Sequence, residues 1–383
     1  MVGLIGLAIA ALLSGSDRQA RDFPNSPSYV GWPYDSGAAR AQALLAFVRT
    51  GPASAIPYAR RSVLSDPLSA QAVSILGRSQ LYAQQLPQAH RTFEVSGQLG
   101  WRDTMTQIYW LDQALQGGDY KVGAERLDAI LRQSPLYEDR DRLIAAVAET
   151  PQGRQALAER LKLAPTWANP LVSDVWDLPV DQVLQRVDLM RLTGKGVWSC
   201  ADSEKISQRL IDLDQLDEAQ SVWQLNCESS ASLVYDGGFE HMDILKATTA
   251  FDWQLSNRSD TEISISQDTG GRRSLSLEVT GTTTVPILWQ FVVLKPGRYT
   301  LSWRTPDTAT AQANALQVSL TCRPDFSRAM TGRAVAGKPD EWRQDFVIDN
   351  ECRGHQLIFW LAPHAPIHID DVSLVAAGNA EAH

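Results

Sequence analysis

Apolar and polar positions along this chain change their spacing twice. Val2 to Leu13 is an unbroken, uncharged apolar run. From about residue 36 to about 229, apolar residues recur at helical spacing in one segment after another. From Leu233 the spacing drops to two. In SLSLEVTG, Leu275, Leu277 and Val279 alternate with Ser274, Ser276 and Glu278. In LKPGRYTLSWR a Pro296-Gly297 turn separates two strands, after which Tyr299, Leu301 and Trp303 share one face. ALQVSLTC and PIHIDDVSL alternate in the same way. Short strands divided by Gly, Pro and Asp turns predict an antiparallel sandwich. The expected fold is multidomain, α then β: an N-terminal α-solenoid followed by a C-terminal antiparallel β-sandwich. The change falls at VYDGGFE, Val234 to Glu240, where Asp236-Gly237-Gly238 is the turn that opens the second domain.

The helical half carries a 34-residue period. It relates Ala43, Gly77 and Leu111, then Ala55, Ala89 and Gly123, then Pro67, Trp101 and Pro135. Small residues fall where two helices of a hairpin approach closely, and Pro or a bulky residue falls where the second helix stops. Residues 36–229 therefore resemble a short tetratricopeptide-like solenoid, with looser helices between about 136 and 200. The middle unit, LGRSQLYAQQLPQAHRTF, matches best, and the flanking units are degenerate. A further unit, LIDLDQLDEAQSVW, has Leu213, Leu216, Ala219 and Trp223 in similar relation but out of phase. Such a solenoid either offers a groove to a protein partner or positions the next domain, and the sequence leaves both open. Trp101, Tyr109 and Trp110 are groove candidates, although aromatics at helical spacing more often fill a core.

In the strand half, VYDGGFE, FDWQL, RRSLSLEV, WQFVVLKPGRYTLSW, VSLTC, WRQDFVI and IHIDDVSL occur in that order. Over residues 231–376 this order resembles the jelly-roll carbohydrate-binding modules of the galactose-binding-like type. The resemblance implies a jelly roll over 230–376 whose opening Gly-Phe-Glu strand and closing Asp-Asp-Val strand lie close together. It implies a structural calcium held by Glu240 and Asp370, with Asp371 a lesser candidate; otherwise these carboxylates are exposed strand ends. Calcium wants six to eight oxygens, so backbone carbonyls would have to complete the shell. It also implies a Cys322–Cys352 disulfide between neighbouring strands. Sugar rings present apolar C–H faces that suit aromatic side chains with flanking polar groups. Trp289 is the first platform candidate, with Gln290 then pointing inward as a hydrogen-bonding core residue. Trp342 with Arg343 and Gln344, and Trp360, come next.

Charge and cysteine usage narrow the function. Net charge is −9, and no Lys/Arg cluster suits nucleic acid or an anionic lipid surface. The cysteines Cys200, Cys227, Cys322 and Cys352 fall two in each half, which suggests one disulfide per domain and an oxidising compartment; four buried free thiols are the alternative. Residues 1–20 have signal-peptide character, with Ser14 and Ser16 as small residues before a cleavage site, and residues 2–15 are short for a membrane span. The expectation is export, to the periplasm or anchored in the inner membrane facing it; a buried N-terminal helix is the alternative. Residues 21–35 read as a linker and 377–383 as a tail. His364 and His368 sit at strand spacing, too far apart for one metal. No nucleophile-elbow or phosphate-loop motif occurs. The reading is a non-catalytic envelope adaptor, with a protein partner on the helices and a glycan on the jelly roll, in exopolysaccharide or surface-glycan assembly. A purely structural scaffold with a degenerate jelly roll is the alternative, and a glycan-active enzyme is the third reading.

Overall fold

The computed structural model describes residues 2–23, 34–227, 232–245, 250–267, 271–306, 315–323, 329–331, 335–336, 340–350, 352 and 354–377. Most of the expected linker, all but the first residue of the expected tail, and the expected boundary at 229/230 lie outside those residues. The chain divides into two compact units, Met1–Pro170 and Leu171–His383.

The first unit opens with α1 (Val2–Asp22). Three hairpins follow: α2 (Ser36–Arg49) with α3 (Pro52–Ser65), α4 (Ala70–Tyr82) with α5 (Leu86–Gln98), and α6 (Thr104–Gln116) with α7 (Tyr120–Gln133). Their first helices begin 34 residues apart at Ser36, Ala70 and Thr104, and their second helices at Pro52, Leu86 and Tyr120. The small residues of the period sit in the crossings. Ala43, Ala55 and Ala89 are fully buried. Gly77 lies so near the Phe93 ring that a Cβ there would stand 3.0 Å from it. Ser69, Asp103 and Asp119 cap α4, α6 and α7 through their side chains, satisfying N–H groups a helix leaves open. Of the groove candidates, Tyr109 is core, stacked on Phe93 at 4.0 Å, and the Trp110 indole donates to the Phe93 carbonyl. Trp101 alone is exposed, with the Arg126 guanidinium 3.8 Å over its ring.

The looser helices α8 (Arg140–Ala148) and α9 (Pro151–Leu161) are joined to the third hairpin by one buried acid. Asp128 on α7 accepts from Arg132, Arg160 and the Trp167 indole, at 2.9, 2.9 and 2.8 Å. Burial alone would raise its carboxyl, but the bonds from Trp167, Arg132 and Arg160 hold it below the usual range.

The short α10 (Ala168–Ser173) precedes α11 (Val180–Thr193), α12 (Cys200–Asp212) and α13 (Leu216–Asn226). These last three helices belong to the second unit, so that unit begins well before the change of spacing seen in the sequence. The reason is packing. Trp223 of α13 meets Tyr235 at 5.1 Å and Phe251 at 5.5 Å, both edge-on. Gln220 donates to the Val293 carbonyl, and the Ala250 N–H donates to Gln208.

The strands are β1 (Gln254–Leu255), β2 (Thr261–Gln267), β3 (Arg273–Val279), β4 (Val285–Val292), β5 (Gly297–Arg304), β6 (Leu316–Arg323), β7 (Ala329–Thr331), β8 (Val335–Ala336), β9 (Glu341–Ile348), β10 (Gly354–Leu361) and β11 (Ile367–Ala376). They form two antiparallel sheets, ordered β1-β4-β10-β6-β7 and β2-β3-β11-β5-β9-β8. Adjacent strands β2/β3, β6/β7 and β8/β9 pair within one sheet while the remaining connections cross between the two, which is the sandwich expected. Leu275, Leu277, Val279, Tyr299, Leu301 and Trp303 point into the core between them.

The opening segment is not a strand. Asp236 and Phe239 have φ of 48° and 57°, which breaks extended pairing. It is nevertheless bound to the closing strand, as Leu233 N–H donates to Leu374 O and Val372 N–H to Gly237 O. A Cβ on Gly237 would stand 1.8 Å from the Val372 carbonyl oxygen, so only glycine permits this approach. Both disulfides form as expected, Cys200–Cys227 and Cys322–Cys352. The first joins the start of α12 to the end of α13. Two disulfides and no free cysteine belong to an oxidising compartment. Among the described residues no helix is long and apolar enough to cross a membrane.

Candidate functional site

The outer face of the five-stranded sheet is read from its register. Gln254, Trp289, Ile358 and Ser319 stand opposite one another across β1, β4, β10 and β6. Phe291, Gln356 and Thr321 form the next row. On the other side lies the row of Pro286, Trp360 and Gln317. A bulge separates Phe359 from Trp360 in the β10–β4 pairing. Through it both Ile287 and Leu288 face the core, and Pro286 is set opposite Trp360.

Two indoles therefore share one face, and each is held by its polar edge. The Trp289 N–H donates to Gln254 Oε1 at 2.7 Å, and the Trp360 N–H donates to Ser319 Oγ at 2.8 Å. Both rings are half-buried. Their donors are spent inside the protein, so what they offer outward is the aromatic face. Gln356 and Gln317 supply amides beside them, half-buried and exposed. The described residues in these three rows carry no charged side chain. The far end is closed: Phe291 is buried against Phe251, and Gly354 leaves room for the Phe291 ring and Leu216 of α13.

Gln290 points inward, as expected from the alternation. Its amide pairs with both main-chain groups of Tyr235, accepting from N–H at 3.0 Å and donating to O at 2.9 Å. It anchors the opening segment from within the sandwich.

Trp342 and Gln344 do not reach the aromatic face. β9 belongs to the other sheet, and both residues point into the core. The Trp342 indole donates to Thr305 and the Gln344 amide to the Val318 carbonyl. Arg343 points out from that sheet and pairs with Glu341 at 2.8 Å. Three successive strand residues cannot share a face, so this trio was never one site. The sequence reading missed Gln254, Ser319 and Gln356, because their roles arise from strand pairing.

The proposed calcium ligands are partly assembled. Asp370 is buried, and its Oδ1 lies 4.0 Å from the position of a Cβ on Gly238. Burial pushes its carboxyl up. Two main-chain carbonyls of the opening segment are bound by a cation of the protein itself. Arg273 donates to Glu240 O at 2.6 Å and to Met242 O at 2.7 Å. Asp371 pairs with Arg304 at 3.1 Å. Among the described residues no three His, Cys, Asp or Glu side chains cluster as metal ligands. The candidate carboxylates would supply only part of a six-to-eight-oxygen calcium shell.

No protein-family model matches this chain, and no curated protein does. Solved structures similar to it include the enzymatically active domain of bacteriophage CBA120 tailspike protein 4, at 14% identity over 41% of this chain, TM-score 0.29; the chain spans 23% of that domain. Pseudomonas aeruginosa PilF is similar at 14% identity over 51% of this chain and 78% of PilF, TM-score 0.28. TmCBM61, solved with β-1,4-galactotriose, is similar at 14% identity over 38% of this chain and 99% of that module, TM-score 0.26.

Proposed function

We propose that this chain is a non-catalytic cell-envelope adaptor that holds a neutral polysaccharide on the Trp289–Trp360 face and a protein partner on its helical hairpins. One observation carries the reading. Two half-buried indoles, each pinned by its N–H, share one outer sheet face with two glutamine amides, in rows that carry no charged side chain among the described residues. Indole faces contact the C–H surfaces of sugar rings, and amides complement hydroxyls. An uncharged face selects glycans without uronate, phosphate or amine groups. Export to the periplasm and a part in exopolysaccharide or surface-glycan assembly follow from the disulfides taken together with this pairing of domains.

Binding of the full chain to a panel of neutral and charged polysaccharides tests the reading. Neutral glycans bind, and Trp289→Ala or Trp360→Ala weakens them at least tenfold while the chain stays folded at the temperature of the assay. Failure of every neutral glycan to bind, or full binding in the double variant, would refute it. The scaffold reading has one observation in its favour: α13 and Phe251 already cover the Phe291 end of the face. It predicts that no glycan binds.

A further inference from the structure

We infer that α1 is a retained lipid anchor, built into the first helical hairpin, and not a signal peptide removed on export. The inference does not rest on glycan binding. Three observations concern the second half of α1. It is helical without a break through Ser14 and Ser16, where cleavage was expected. Asp17 lies just beyond, and its carboxylate accepts from the N–H groups of Gly37 at 3.1 Å and Ala38 at 2.8 Å. These are donors that the start of α2 cannot satisfy within the helix. The residue in the N-cap position of α2, Asp35, makes no capping bond and instead accepts from Ser65 and pairs with Arg61. The cap of α2 therefore comes from α1. A Cβ on Gly37 would stand 2.7 Å from Asp17 Oδ2, so the glycine admits the carboxylate. Ala20, one turn further, is buried. Cleavage at Ser14 or Ser16 would leave this cap on a frayed chain end.

The first half of α1 is the opposite. Leu4, Leu7 and Leu12 are 73%, 69% and 74% exposed, and Ile5 and Ile9 are exposed as well. At 100° per residue these positions spread over roughly 200° of the helix, and the remaining side carries Gly6, Ala10 and Leu13 with no polar residue. A protein groove needs only a stripe; a helix apolar on every side suits lipid. At 1.5 Å per residue the run from Val2 to Leu13 is ~18 Å long, enough to enter the hydrocarbon of one leaflet. The partner is a lipid bilayer, entered by apolar contact alone because the run has no charge.

The full chain, made in a bacterium with its export pathway intact, is fractionated, and its intact mass is measured. The purified chain is then floated with neutral phosphatidylcholine vesicles. The expected mass retains residues before Ser14, and the chain floats with the vesicles. The double variant Leu7→Glu/Leu12→Glu loses flotation at least tenfold with unchanged Tm. Asp17→Ala still floats but lowers the Tm of the helical unit. A mature chain that starts after Ser14 or Ser16 overturns the inference. So does an intact chain that stays in the aqueous fraction, or flotation that survives the double variant.

Discussion

His355 is fully buried, and neither ring nitrogen has a hydrogen-bond partner in the described structure. Burial lowers its pKa to about 4 from an ordinary 6.5. The unfolded chain takes up a proton below 6.5 while the folded chain resists until about 4. Stability therefore rises with pH across that window and is level above it, by about 3 kcal/mol in total. Denaturant titrations of His355→Leu at pH 4.5 and pH 7.5 are expected to differ by about 2 kcal/mol less than those of the parent chain. An unchanged difference would mean that another group sets the slope. Arg273 yields a second expectation. Its guanidinium ties the carbonyls of Glu240 and Met242, in the segment whose Glu240 carboxylate the resemblance gives to calcium. The parent Tm should not move with chelator or added calcium, while Arg273→Ala lowers it. A fall of several degrees on chelation would restore the metal.

At the scale of elements, the repeat was legible because its small residues mark helix crossings. Ala43, Ala55, Gly77 and Ala89 sit where the 34-residue period placed them. Strand faces were legible where alternation is clean, as in β3 and β5. They were not legible at bulges. The one on β4, opposite Phe359 and Trp360, turns both Ile287 and Leu288 to the core and sets Pro286 against Trp360. That Ile358 stands opposite Trp289, and so puts Trp360 on the same face, comes from strand pairing, which no count along the sequence reveals. The pinning partners Gln254 and Ser319 come from other strands, so pairing alone exposes them. The same holds for Asp128, whose clamp on Arg160 and Trp167 joins α9 to α7 across more than thirty residues. Asp128→Ala leaves these donors without their acceptor and is expected to cost about 3–5 kcal/mol. Because the folded carboxyl is held low, the stabilisation is present above the ordinary carboxylate pKa. It is lost as pH falls through the depressed value, below the His355 window. Acid unfolding of the variant measured below pH 4 should lack this step. In the opening segment, Gly237→Ala should cost about 3 kcal/mol or more through its clash with Val372. A Tm near that of the parent would show that β11 can yield.

For the whole molecule, the change from helical to strand spacing is a poor guide to where a folding unit starts. The compact second unit begins at Leu171. A fragment cut at residue 230 loses α13 and the Cys200–Cys227 link, and strips Trp223 from Tyr235 and Phe251. It also uncovers Phe291 where Leu216 now lies. Each buried aromatic or large aliphatic side chain returned to water costs roughly 1.5–3 kcal/mol. Two or three of them amount to about 5 kcal/mol, comparable to the whole stability of many domains. Residues 171–383 should therefore unfold cooperatively as a soluble monomer. Residues 230–383 should aggregate or melt well below it, as measured by light scattering and thermal unfolding side by side. Equal melting temperatures would make the helices a detachable neighbour, and the sandwich a module that folds alone. The expected outcome has a consequence for function. Loss of glycan binding in the shorter fragment would then report lost folding, and the Trp289–Trp360 face is properly tested only with α11 to α13 in place.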